Sequence, residues 1–248
     1  AVLVAGLLKA EQQGKRFLFR TAASFVKVCG GITPEPLLTA NRLFVGELPQ
    51  VGGLVVIGSY VPKSSEQAAR LLALPGIVGL ELRVERILST RHRDGEIARV
   101  VDAMNRLLPP SDVVVMTSRR LKTGGSAEEN LHIGQVVSAA VVEVVSGLNV
   151  RPRFIVAKGG VTSSDVATRA LGIKQATVLG QIAPAVPVWR PAADSRFPDV
   201  PYVVFPGNVG GPETLAEVVQ TLRARSTDPP SPETLPCGGE GNGSLEDT

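Results

Sequence analysis

Short apolar runs alternate with helix-forming segments over most of this 248-residue chain. Runs typical of buried strands lie at 54–57, 78–82, 112–117, 154–157 and 176–179, with shorter candidates at 186–189 and 202–205. Apolar residues at helical spacing lie between or after them, at 64–74, 94–107, 128–148, 163–171 and 213–225. This alternation predicts an α/β fold with a mainly parallel sheet and helices on both faces.

Three glycine-bearing turns directly follow apolar strands: Gly58-Ser59, 159–163 and 206–211. Ligands of parallel sheets bind beyond the carboxyl ends of the strands, where glycine lets the backbone come close to them. We therefore expect the turns to share a nucleotide or phosphate ligand, with hydroxyl donors at Ser59, Thr162 and Ser163. Plain strand-to-helix turns, and a local serine turn at Ser59, are the structural alternatives.

These turns contribute a set of candidate ligand-binding residues. The set is Ser59, Gly159, Gly160, Val161, Thr162, Ser163, Gly207, Asn208 and Gly210. No strand is followed by Gly-x-x-x-x-Gly-Lys-Ser/Thr or Gly-x-Gly-x-x-Gly, which disfavours a Rossmann-type dehydrogenase. Asp165 suits the first turn of a helix, but its carboxylate would repel a phosphate unless a metal ion lay between them.

The composition limits the remaining function classes. With 44% hydrophobic and 20% charged residues, the chain is an ordinary globular protein. A net charge of +3 and an aromatic content of 4% do not support binding to nucleic acid or to an anionic membrane. The cysteines, Cys29 and Cys237, are far apart, and the histidines are His92 and His132, so we predict no metal site of the protein's own and no Ser-His-Asp triad.

The N-terminal segment differs from the alternating pattern. Residues 1–13 predict an amphipathic helix that ends at Gly14, and 15–19 predict a strand. Arg20 and Ser24, in the polar turn that follows, could hold an anionic substrate; a surface arginine and a helix-capping serine are the alternative. The first apolar run has no signal-peptide pattern and is too short to span a bilayer, so we expect a cytoplasmic protein whose chain begins within something larger.

Two composition shifts suggest domain boundaries. Glycine and proline are frequent between 30 and 53, as in a connector. From 226 onward the chain has almost no large apolar residue, which predicts disorder. We expect the end of a first domain at 1–47, a second domain at 48–225 and a disordered tail at 226–248.

Five motifs occur here in the order seen in the four-carbon acid sugar kinases. They are RTAASFV (20–26), GSYVPK (58–63), TSR (117–119), KGGVTS (158–163) and PGNVG (206–210). The resemblance covers most of residues 1–225. It implies an ATP- and Mg²⁺-dependent enzyme that phosphorylates threonate, erythronate or a 2-oxo-tetronate on its terminal hydroxyl.

The same resemblance implies a division of labour between two domains. In that family an N-terminal domain binds the sugar acid and a C-terminal domain binds the nucleotide, through positions that match Ser59, Gly160 to Ser163, and Gly210 here. The Asp-Asp-x-Thr-Gly type loop of the family's first domain is missing from this sequence, so no catalytic base is assigned. A non-catalytic nucleotide-binding module is therefore the alternative, and a homo-oligomer or a fusion to dehydrogenase and aldolase modules stays open.

Overall fold

The computed structural model describes residues 2–33, 35–44, 50–58, 61–119 and 124–224. It divides into two compact units, Ala1–Pro36 and Leu37–Thr248. The predicted disordered tail at 226–248 lies outside the described residues.

The smaller unit contains helices α1 (Val2–Gln12) and α2 (Ala23–Cys29), and neither has a buried residue. The helix expected at the N-terminus is present, but the strand predicted at 15–19 is wrong. A strand needs a ladder partner for its backbone groups, and the described residues of this unit contain no other strand. Ser24 is the second residue of α2 and does not cap it, because Ala22 occupies the N-cap position.

The larger unit contains the alternating elements. Its strands are β1 (Leu54–Ile57), β2 (Ile77–Leu82), β3 (Asp112–Thr117), β4 (Ile155–Lys158), β5 (Ala176–Ala183), β6 (Val186–Pro191) and β7 (Tyr202–Phe205). Its helices are α3 (Ala40–Leu43), α4 (Pro62–Leu72), α5 (Val84–Ile87), α6 (Arg93–Leu107), α7 (Ala127–Ser146), α8 (Gly160–Asp165) and α9 (Thr214–Arg223). A π-helical turn, Val166–Ala170, continues α8. Every predicted strand and helix from 54 onward is present, although the helix predicted at 163–171 is α-helical only to Asp165 and π-helical over Val166–Ala170; α3 and α5 were not predicted.

The strands form one seven-stranded sheet in the order β2-β3-β1-β4-β7-β6-β5. The five strands from β2 to β7 in this order are parallel, whereas β6 runs antiparallel to both β7 and β5. Between β5 and β6 lie only Pro184 and Ala185, a connection too short for a parallel crossover. The expectation of a mainly parallel sheet is confirmed.

Helices cover both faces of the sheet, as predicted. On one face, α4 and α9 pack Leu71, Leu215 and Val219 against the strands. On the other, α6 and α7 contribute Met104 and Val144 to a second core cluster. Among the described helices, none is long and apolar enough to cross a membrane.

The start of the larger unit lies earlier than the boundary expected after residue 47. Leu38 and Leu43 are 3% and 2% exposed, because they pack into the core beside α4 and α9. The Leu38 N–H also donates to the Gln181 carbonyl of β5 at 2.8 Å. Residues 37–44 therefore belong to the unit that carries the sheet.

Candidate functional site

The strand order places the three glycine-bearing turns side by side. β1, β4 and β7 are adjacent and parallel, and their last residues, Ile57, Lys158 and Phe205, pair in one row. The turns that follow them therefore begin at the same level, on the carboxyl edge of the sheet. β3 lies on the other side of β1. After β1 the chain continues to β2 at one edge of the sheet, and after β4 it continues to β5 at the other edge. Ligands of open α/β sheets bind at such a point, between two strands whose connections run in opposite directions.

A cleft of about 890 Å³ opens beside this edge. Its walls include the carboxyl ends of β1, β3, β4 and β7, residues from the stretch 130–142 of α7, and residues of α8 and the π-helical turn that continues it. Among the residues of the predicted turns, those that line it are Gly58, Gly159, Gly160, Val161, Thr162 and Gly207. The structure thus brings the three turns to one cavity.

Gly159 and Gly160 have different reasons to be glycine. Gly159 is buried with φ +119, a conformation that side chains rarely adopt, and its N–H donates to Phe205 O at 2.9 Å. Gly160 is helical and exposed, and no atom of the described chain lies within 4 Å of a Cβ added to it. Neither backbone strain nor packing among the described residues accounts for Gly160, which lines the cleft.

The first turn of α8 presents backbone donors. Ser163 N donates to Gly159 O at 2.8 Å, but the N–H groups of Gly160, Val161 and Thr162 have no acceptor among the described residues. These are the N–H groups that every helix leaves unpaired at its start. Because they lie on the wall of the cleft, they can receive the oxygens of an anion.

Two of the three hydroxyl residues of α8, Thr162 and Ser163, are used differently. A Cβ on Gly58 would lie 2.2 Å from Thr162 Oγ1, so glycine at 58 is what allows β1 and α8 to approach each other. Thr162 is half-exposed and lines the cleft. Ser163 is buried and does not line it, because its hydroxyl donates to Ala157 O at 2.6 Å and Gly159 O at 2.8 Å.

Residues 206–211 connect β7 to α9 and are called the anchored loop below. Gly207 lines the cleft, whereas Asn208 and Gly210 do not. Gly210 has φ +80, and a Cβ there would lie 2.7 Å from Thr214 Cβ. Its glycine is therefore explained by the fold of the loop itself.

Two cations at the strand ends were not predicted as site residues. Lys158, the last residue of β4, is fully buried. Arg119 donates to Thr117 O and Oγ1, each at 3.0 Å, and to Ile57 O at 3.4 Å, and burial lowers the pKa of its guanidinium. Arg119 also lines a second cavity of about 510 Å³ at the ends of β2 and β3. A lysine closing a buried strand and an arginine just after one are sequence signals that could have found them.

Asp165 is the carboxylate among the described residues that line the cleft. It accepts a hydrogen bond from the Ser138 hydroxyl of α7 and lies 3.5 Å from Arg169 NH1. Its charge is therefore partly balanced within the protein. Across the described ranges, no group of three or more His, Cys, Asp or Glu side chains is placed to hold a metal ion.

Besides Ser163, Asn208 and Gly210, three further predicted site residues are not placed at the cleft. Ser59 lies outside the described residues. Arg20 and Ser24 are exposed residues of the smaller unit, and their role in holding an anionic substrate stays a prediction.

Residues 54–215, which span the sheet and the cleft, match the family model of the nucleotide-binding C-terminal domain. The chain belongs to this family. The resemblance to the nucleotide-binding domain of the four-carbon acid sugar kinases is thereby confirmed. For a nucleotide-binding C-terminal domain, a cleft walled by glycine turns at the carboxyl edge of a parallel sheet is the expected site.

Solved structures share the fold of this nucleotide-binding domain. A Bordetella bronchiseptica domain of unknown function, DUF1537, with bound citrate in a domain-swapped dimer, aligns with a TM-score of 0.52 and 19% identity over 70% of this chain and 40% of its own. A DUF1537 protein of Haemophilus influenzae aligns with a TM-score of 0.52 and 19% identity over 78% and 44%. A Salmonella typhimurium LT2 protein gives 0.52 and 18% over 69% and 40%.

The chain spans about two fifths of the length of these solved proteins. Among curated proteins, none matches its sequence.

Proposed function

We propose that this domain binds ATP with Mg²⁺ and forms the nucleotide-binding half of a kinase. The kinase would phosphorylate a four-carbon sugar acid, namely threonate, erythronate or a 2-oxo-tetronate, on its terminal hydroxyl. The observation that carries the proposal is Gly160, a cleft residue whose missing side chain is explained neither by backbone strain nor by its described neighbours. A ligand that approaches the backbone closely accounts for it.

In this proposal the phosphates of ATP lie against the first turn of α8. The N–H groups of Gly160, Val161 and Thr162, with the Thr162 hydroxyl, would donate to phosphate oxygens. Phosphoryl transfer depends mainly on positioning and on neutralising charge, which preorganised donors supply. Apolar side chains of α7 that line the cleft, Leu131 and Val137 among them, offer a surface for the base.

Mg²⁺ is proposed as a partner of the nucleotide. Because the described residues hold no cluster of metal ligands, we expect the ion to arrive with the phosphates rather than to occupy a preformed protein site. Mg²⁺ is commonly held in this way, by substrate phosphates, water and one or two carboxylates.

The sugar-acid substrate rests on the family resemblance. It is supported by the structure of the Bordetella bronchiseptica protein, part of which shares this fold and which has citrate, a small hydroxy acid, bound. That structure is also a domain-swapped dimer, so we include self-association in the proposal. Nucleic acid and membranes are not proposed as partners.

The first test is calorimetry with ATP–Mg²⁺ on the wild type and on two matched variants. Gly160→Val should weaken binding about a hundredfold or more, about 2.7 kcal/mol, because a side chain would occupy the space of the phosphates. Gly95→Val is the control, since Gly95 also lies in the first turn of a helix with no described atom near its Cβ but does not line the cleft. Equal affinities of the two variants for ATP would refute the site.

The second test is ADP release with each of the tetronates. Turnover that requires one tetronate would support the kinase and name its substrate. Binding of ATP without turnover would instead support the alternative, a non-catalytic nucleotide-binding or regulatory module.

A further inference from the structure

The anchored loop is held through its carbonyl oxygens by side chains of α4. Lys63 Nζ donates to Asn208 O at 3.2 Å. The fully buried Gln67 donates through Nε2 to Val209 O at 3.1 Å and to Gly211 O at 2.7 Å. The helix thus fixes the second half of the loop.

The first half of the loop is fixed from two sides. Ser64 Oγ of α4 donates to Gly207 O at 3.3 Å. Lys158 Nζ of β4 donates to Pro206 O at 3.2 Å and reaches Gly207 O at 3.5 Å. With the α4 contacts, every carbonyl of the loop except that of Gly210 accepts a hydrogen bond from a side chain outside it.

In contrast to the carbonyls, several backbone N–H groups of the same loop have no acceptor among the described residues. They include those of Gly207, Asn208 and Gly210. A segment with occupied carbonyls and open N–H groups presents positive partial charge, as in the concave backbone sites that bind anions. Because Gly207 lines the cleft, this positive partial charge lies at the wall of the cleft.

Two lysines add full charges beneath the loop. Lys158 is fully buried; besides the two carbonyls, it lies 4.3 Å from the centre of the Phe205 ring. In the described part of the chain, no carboxylate forms an ion pair with Lys158 or Lys63. A buried ammonium without a counter-ion is costly, and an anion nearby would lower that cost.

Burial and the charge of Lys63 together lower the pKa of Lys158 to about 8. The neighbouring elements supply no compensating acid: β1 has no ionisable side chain, and Tyr202 of β7 packs into the core on the other face of the sheet. On α4, Glu66 is exposed and Arg70 pairs with Glu213 at 3.1 Å.

We propose that Lys63 and Lys158 are positioning residues that hold the anchored loop as the anion-receiving side of the cleft, so that a polyphosphate bound there draws a proton onto Lys158. This rests on the proposed function only in taking the anion to be the phosphates of ATP. Lys158 acts through the loop and its charge, since it does not itself line the cleft.

The direction of the pH effect follows from linkage. Well below pH 8, as at pH 6.5, Lys158 is already almost fully charged in the free protein, so it takes up almost no proton on binding there. Above pH 8, the bound anion favours the ammonium, so Lys158 takes up a proton and affinity falls as pH rises. At pH 8.5 a group with a pKa of about 8 is roughly three-quarters neutral, so Lys158 can take up at most about three-quarters of a proton per ligand.

The experiment is calorimetry at pH 6.5 and 8.5, each in two buffers of different ionisation enthalpy, with ATP–Mg²⁺ and with inorganic triphosphate. For the wild type we expect almost no uptake from Lys158 at pH 6.5 and uptake at pH 8.5. Lys158→Arg should keep affinity while losing the uptake, because a guanidinium stays charged. A purely structural role for Lys158 would leave the uptake unchanged in a folded variant.

Lys63→Met is the second variant, at an exposed position of α4. Removing that charge should shift the fall in affinity to higher pH, because one of the two causes that lower the pKa of Lys158 is gone. It should also weaken triphosphate binding several-fold. Glu66→Gln, on the exposed part of the same helix, should change neither.

The outcomes separate this inference from the assignment of ATP. Triphosphate binding with Lys158-dependent proton uptake, but no ATP binding, would support the positioning role of the two lysines and overturn ATP as the ligand. ATP binding without proton uptake at pH 8.5, together with unchanged triphosphate affinity in Lys63→Met, would overturn the role of the lysines and leave ATP as the ligand. Failure of both ligands to bind would overturn both.

Discussion

The α8 turn and the anchored loop follow adjacent parallel strands and open on the same cleft, yet they are built differently. In the α8 turn the N–H groups without a described acceptor are those of a helix start, and no described atom lies within 4 Å of a Cβ added to Gly160. In the anchored loop, lysine, serine and glutamine side chains from other elements hold the carbonyls, while the N–H groups of Gly207, Asn208 and Gly210 have no acceptor among the described residues. The backbone of one turn is arranged by local structure and that of the other by tertiary contacts.

Because of this difference, substitutions in the α8 turn and in the anchored loop should affect stability and ligand binding differently. Where local structure supplies the donors, substitutions can block a ligand without disturbing the fold. Where distant side chains hold the backbone, a substitution in the loop or in its anchors should reduce stability and binding together. The following variants test that contrast.

The largest effect is expected at Gly210. Gly210→Ala should lower the free energy of unfolding by about 2–4 kcal/mol, since φ of +80 disfavours a side chain and its Cβ would lie 2.7 Å from Thr214 Cβ. Urea denaturation measures this. Gly211→Ala is the matched control, because the closest described atom lies 4.0 Å from a Cβ added there. Gly160→Ala should leave stability unchanged or slightly higher while weakening ATP binding. A loss of stability in Gly160→Ala as large as that in Gly210→Ala would erase the contrast.

A smaller effect is expected at Gln67. Gln67→Met fills the same space but removes the side-chain donor to the carbonyls of Val209 and Gly211, which should cost about 1–3 kcal/mol of stability. ATP affinity should fall with it. Gln220→Met, at an exposed position of α9, should do neither. If Gln67→Met lost stability with unchanged ATP affinity, the anchors would serve the fold alone.

The smallest effect is expected at Thr162. Thr162→Val keeps the shape and removes one hydroxyl, so ATP affinity should fall by about fivefold, about 1 kcal/mol, with unchanged stability. Thr162→Ser should restore the affinity in calorimetry. ATP affinity equal to wild type in Thr162→Val would mean that the Thr162 hydroxyl does not contribute and that the α8 turn binds ATP through its backbone donors alone.

Much of the fold could be predicted from the sequence. The strands at 112–117 and 202–205 have the predicted bounds, and the α8 turn was located from two glycines after an apolar run. The strand at 15–19 was predicted from composition and is wrong, because a strand exists only with a partner that local sequence does not supply. The start of the larger unit was placed too late for a similar reason: Leu38 and Leu43 join the core through contacts with distant elements.

The candidate site divides in the same way. Gly159, Gly160 and Thr162 were predicted, whereas Lys158 and Arg119 were not, because their significance depends on burial and on carbonyls far along the chain. Ser163 was expected to face the ligand, but its hydroxyl is occupied by the turn that it stabilises.

By itself, the sequence determined the alternation of strands and helices, the glycine turns and the likeness to one kinase family, since periodicity and motifs are properties of neighbouring residues. Only the tertiary structure decided that β1, β4 and β7 are neighbours, that their turns share one cleft, and that α4 and Lys158 hold the anchored loop. Strand order and buried charge arise from packing between segments that are distant in the chain, which no local pattern encodes.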